Sequence, residues 1–174
     1  MGSQTNADVT SEIPTLAAVC GLFCEACTIY IGSHEDPERL ARQAADFGQS
    51  AEETHCDGCR AEKRMAYCRS CTMFACAAER GLAFCGDCPD YPCAELEAFG
   101  RELPHRADIH IDLRRIGEIG AEAWMAEARR RYTCSSCGII NSAYDLKCRR
   151  CGHEPANAYV EKHREAITRR LAES

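Results

Sequence analysis

Six cysteines between Tyr67 and Gly100 say the same thing twice. Cys68, Cys71 and Cys76 recur seventeen residues later as Cys85, Cys88 and Cys93. Each set follows an aromatic residue (Tyr67, Phe84) and precedes an alanine (Ala77, Ala94). The 174-residue chain holds 15 cysteines, about a dozen more than is usual for its length. Large apolar side chains are scarce: 9 Leu, 10 Ile, 3 Val and 5 Phe. That is below the roughly one-fifth expected of a chain that folds on its core alone. Something besides hydrophobic burial must fix part of this chain, and small domains use disulfides or metals for that.

The compartment decides between the two. The first twenty residues carry no basic leader and no long apolar run, which argues against a signal peptide and for a cytoplasmic protein. No stretch of about 18 apolar residues predicts a membrane span. The cysteine count is odd and most cysteines come as C-x2-C, a pattern that in a reducing setting favours metal thiolates over disulfides. The net charge of −6 is uneven: residues 1–100 hold 7 basic and 16 acidic side chains, residues 101–174 hold 14 and 11. Thiolates add further negative charge to the first half, which argues against a nucleic-acid partner.

Five segments are expected along the chain: a flexible tail (1–18), a Cys-rich metal-binding domain (19–104), a helical connector (105–132), a zinc ribbon (133–153) and a C-terminal helix (154–174). Residues 33–48 read as a helix capped by Asp36, opened by Pro37 and ended at Gly48. Residues 49–55 read as a polar loop. Residues 94–103 suit a short helix that Pro104 stops. In the connector, Ile109, Leu113, Ile116, Gly120 and Trp124 share one helical face, with Gly117 and Gly120 as bend points. The expected fold class is a small metal-stabilised α+β protein, with knuckles and short helices in the Cys-rich domain.

The C-terminal cluster, Cys134, Cys137, Cys148 and Cys151, is C-x2-C-x10-C-x2-C. A two-residue gap lets both sulfurs of a tight turn face one ion, and two such turns complete a tetrahedron with Zn–S near about 2.3 Å. Gly138 and Gly152, each directly after a knuckle, supply the positive φ such turns need. Four thiolates leave no open position, so this site is read as structural. It is similar to the zinc ribbons appended to many bacterial and archaeal proteins. Arg149 and Arg150, beside the last knuckle, are read as solvated charges offsetting the site.

Eleven cysteines remain: Cys20, Cys24, Cys27, Cys56, Cys59, Cys68, Cys71, Cys76, Cys85, Cys88 and Cys93. Four C-x2-C pairs among them suffice for two four-thiolate sites, giving about three zinc ions in all. Cys20, Cys76 and Cys93 are left over. Cys76 and Cys93 are expected just before helices, where a thiol ionises more easily. His34 and His55 are read as surface histidines, each with a ligand role as the alternative. Tyr30, Phe74 and Tyr91 are expected to shield the sulfurs from water.

The order "CGLFCEACTIYIG", "CDGCR", "CTMFACAAERGLAFCGDCPDYPCAEL" resembles the Cys-rich family catalogued as domain of unknown function 3795. The resemblance spans about residues 19–98. It implies a metal-binding domain without an established reaction, and it supports every N-terminal cysteine except Cys68 as a patterned position. An iron–sulfur cluster in the N-terminal domain is the alternative to zinc, since soft thiolates accept both. No catalytic constellation is evident, and the acidic residues read as solvated helix faces. The expected role is a zinc-binding, non-enzymatic module that binds a protein partner. The alternatives are an iron–sulfur or thiol-based redox protein and a metal-handling protein for buffering or delivery.

Overall fold

The computed structural model describes residues 13–173. The expected flexible tail lies outside them as far as residue 12, while Ala17 and Ala18 are buried in the core. The described residues are helical: α1 (Thr28–His34), α2 (Pro37–Asp46), α3 (Ala51–Thr54), α4 (Ala66–Arg69), α5 (Thr72–Glu79), α6 (Ala94–Glu102), α7 (Ile109–Ile119), α8 (Ala121–Tyr132) and α9 (Ala158–Ala172).

The expected α+β class is wrong. Among the described residues there is no strand, only isolated antiparallel bridges between Ala17 and Phe23 and between Thr133 and Ile140. The reason is local at the second bridge. Beyond Ile140, side chains take the backbone groups that a ladder would use. Ser142 N–H donates to Asp145 (2.8 Å), Tyr144 N–H to the Ser142 hydroxyl (3.2 Å), and Asn157 donates to the carbonyls of Asn141 and Ser142. The knuckles form without a ribbon of strands.

Several helices follow from their ends. The Asp36 side chain accepts the Arg39 N–H (3.0 Å) and caps α2, with Pro37 at its first position. Arg39 then reaches Asp145 (3.0 Å), tying α2 to the C-terminal cysteine loop. The expected polar loop at 49–55 contains α3 instead, because Ser50 and Glu53 form a reciprocal capping box. Gly120, at φ +81, separates α7 from α8, so the connector is a pair of helices.

A continuous core spans these segments. It joins Ala17–Cys20, Phe23, Leu96, Ile109, Leu113, Trp124, Tyr132, Ala143 and Tyr159. Trp124 is 1% exposed and meets Phe23 edge-on, ring centres 6.1 Å apart. The acidic residues of α7 do not all face solvent. Asp112 is buried, accepting from Trp124 Nε1 (2.9 Å) and Arg131 (2.9 Å). Burial raises its pKa despite both partners. Asp108 is also buried and is paired with Lys162 (2.8 Å). The periodicity that placed Leu113 and Ile116 inward carries their polar neighbours Asp108 and Asp112 inward as well.

Candidate metal centre

Cys134, Cys137, Cys148 and Cys151 bring four sulfurs within 4.8 Å of one another. Sulfur separations are 3.8 Å for Cys134–Cys151 and 3.5 Å for Cys137–Cys148. A zinc tetrahedron with about 2.3 Å bonds has sulfur–sulfur edges of about 3.8 Å, so the quartet fits such an ion. The turns repeat one another: Gly138 N–H bonds the Cys134 carbonyl and Gly152 N–H that of Cys148. Both glycines have positive φ, +75 and +72.

The quartet is electrically prepared for a cation. Burial opposes ionisation of Cys148, but N–H groups of Cys151 and Arg150, the Cys137 thiol and Asn141 bring its pKa down to about 6. The His153 N–H lowers Cys151. The Ile139 N–H pulls Cys137 down, yet burial and bonds with the other three sulfurs push it up to about 11. Asn141, fully buried, donates to Cys148 Sγ (3.6 Å) and the Ala156 carbonyl (3.4 Å) and accepts the Arg149 N–H (2.9 Å). Arg149 is not a solvated charge: its guanidinium bonds the Ile140 carbonyl (3.0 Å) and pairs with Glu35. Arg150 is exposed, as expected.

The eleven N-terminal cysteines are arranged differently. No three of them gather within the 4.8 Å that contains the quartet. Cys59 N–H donates to Cys24 Sγ (3.3 Å). The largest influence on Cys56 is a bond from the Cys68 thiol, which lowers its pKa to about 6 and raises that of Cys68. Thiolate repulsion marks the other neighbours. Cys20 feels Cys59, Cys85 and Cys71; Cys85 feels Cys93, Cys71, Cys76 and Cys88. Burial comes first in raising Cys20, Cys24 and Cys59, and pushes Cys85 up to about 12. The pairs 56/59 and 68/71 are therefore divided between neighbourhoods: Cys56 meets Cys68, while Cys59 meets Cys24 and Cys71. The tally of four intact pairs does not anticipate this division.

Residues 16–98 match the model of a family described as protein of unknown function (DUF3795). The Cys-rich region belongs to this family. No curated protein and no solved structure matches the chain.

Within the DUF3795 region, helix ends position several thiols. Cys93 caps α6 as expected, and Cys27 and Cys71 cap α1 and α5. Cys76 departs from expectation, lying inside α5. The aromatic residues expected beside the sulfurs also meet polar side chains. Tyr30 packs on His34 (centres 4.3 Å apart), Phe74 lies under Arg64 (4.2 Å), and the Tyr91 hydroxyl meets His110 Nδ1 (3.0 Å). His34, His55 and Asp57 form a second group with ligand atoms within 4.8 Å of one another. The sequence offers both histidines as alternative ligands but gives no sign of the carboxylate between them.

Proposed function

We propose that this is a zinc-binding protein in which the ions hold the fold, and that it serves as a non-enzymatic module for a protein partner. The observation that carries the zinc reading is the quartet of Cys134, Cys137, Cys148 and Cys151, with its zinc-sized sulfur separations. Four thiolates fill a tetrahedron and leave no position for a substrate. The N-terminal cysteines supply ligands for further ions, about three in all.

One observation favours a second reading, an iron–sulfur cluster in the DUF3795 region. The N-terminal sulfurs spread more widely than the quartet, and a cluster needs a wider frame of thiolates than a single ion does. Metal analysis of protein purified without oxygen separates the two. The zinc reading expects a colourless, zinc-loaded protein. Iron, sulfide and a broad band near about 400 nm would replace it with the cluster in that region. For the partner role, the chain is expected to migrate in a native extract of its own cells as a stoichiometric complex that dissociates on zinc removal. Migration as a free chain with its zinc in place overturns that role.

A further inference from the structure

A carboxylate oxygen sits between two imidazoles at the edge of the DUF3795 region. Asp57 Oδ1 is 2.6 Å from His55 Nε2 and 3.1 Å from His34 Nε2. The two rings lie 5.5 Å apart between centres, tilted by 58°. The three side chains are partly open to water, 36% for His34, 24% for His55 and 39% for Asp57.

The backbone builds this cluster. His34 is the last residue of α1, and His55 caps the end of α3. Ser33, the neighbour of His34, accepts the N–H of Cys56, the neighbour of both His55 and Asp57, at 3.0 Å. The Ser33 hydroxyl donates in turn to the Ile29 carbonyl (2.8 Å), so the second segment is pinned to α1. Asp57 N–H bonds the Lys63 carbonyl (2.9 Å), fixing the loop beyond it. Tyr30, one turn before His34, packs on its ring.

We propose that His34, His55 and Asp57 form an open, exchangeable site for a first-row divalent cation, separate from the thiolate sites. Two imidazole nitrogens and one carboxylate oxygen suit zinc, cobalt or nickel, whereas magnesium and calcium prefer all-oxygen shells. Nitrogen–oxygen edges in a tetrahedral zinc site are about 3.3 Å. His34–Asp57 is near that value, and His55–Asp57 has to open by about 0.7 Å. Three protein ligands leave a position for water, unlike the closed quartet. A surface depression of about 540 Å³ that includes Asp57 and is rimmed by Lys63, Arg64 and Arg69 gives solvent a path to it. A cation held here by few ligands exchanges readily, which suits buffering or delivery better than stabilisation.

The test adds cobalt(II) to the metal-loaded protein as purified. The wild type is expected to take one further equivalent without new sulfur-to-cobalt absorption, because no thiolate joins the shell. The His34→Ala/His55→Ala double variant is expected to bind that equivalent at least about 100-fold more weakly, since loss of supporting residues alone costs up to about that much. Asp57→Asn, which keeps the shape of the cluster, is expected to weaken it too. Folding-independent evidence comes from the wild type: cobalt should broaden the ring nitrogen signals of His34 and His55 and leave those of His110 unchanged. The proposal is overturned by no extra equivalent, by one of equal affinity in the double variant, or by unaffected His34 and His55 signals. None of these outcomes touches the zinc reading of the quartet.

Discussion

Two cysteine-rich regions of one chain meet their sulfurs in different ways. Around Cys134–Cys151 two near-identical turns converge, backbone N–H groups point at the thiols, and Asn141 braces the result. In residues 16–98 the thiols are spread out, and burial and mutual repulsion raise those of Cys20, Cys24, Cys59 and Cys85. In the first region the fold itself aims donors at the sulfurs. In the second, protons or cations must neutralise the sulfurs that folding brings together. Two short turns thus bring four sulfurs within 4.8 Å of one another, whereas the sulfurs of residues 16–98 come from separate helices and loops.

Complete chelation under reducing conditions is the largest lever on this contrast. Metal in small thiolate domains contributes roughly 10 kcal/mol or more of folding free energy, so the cooperative thermal transition should vanish. During partial chelation, alkylation mapped by mass spectrometry should reach the N-terminal cysteines before Cys134, Cys137, Cys148 and Cys151. The reverse order would break the comparison.

Trp124→Ala asks whether the regions are independent. Removing a buried tryptophan costs about 3–5 kcal/mol, and here it also takes one donor from buried Asp112. Because Trp124 packs on Phe23 and shares its core with Ala143, both regions should lose stability together in denaturant. Separate transitions would show two bodies.

Asn141→Ala should act on one region alone. A brace of this kind is worth about 10- to 100-fold in metal affinity. Competition with a chelator should show that loss at the quartet and none at residues 16–98.

The last test, confined to acid pH, concerns the seam between connector and quartet. His105 Nδ1 lies 2.6 Å from the Tyr144 hydroxyl, and burial, with Arg106 beside it, lowers the His105 pKa from 6.5 to about 3. The unfolded chain therefore binds the proton first, and stability falls as pH drops from about 6.5 toward about 3, by up to about 1.4 kcal/mol per pH unit. His105→Asn should flatten that slope relative to wild type in pH-dependent unfolding.

What the sequence made legible was local. The Asp36–Pro37 start of α2, the break at Gly120 and the paired knuckle glycines each depend on a few adjacent residues. What it hid depends on distance through space. The division of the cysteine pairs needs helices to cross first, as does the meeting of His34 with Asp57 across 23 positions. The absence of strands in the described residues has a related cause: side chains from Asn157 and Asp145 occupy backbone groups that spacing alone leaves free to pair.

Asn157 has one further consequence. Its carbonyl oxygen receives the Val160 N–H at the head of α9, while its amide nitrogen holds the loop that Asn141 fastens to Cys148. A single side chain thus transmits slack in the knuckles to the first turn of the terminal helix. Amide deuterium uptake at Val160 would register an empty quartet from outside it, making that helix a gauge of occupancy.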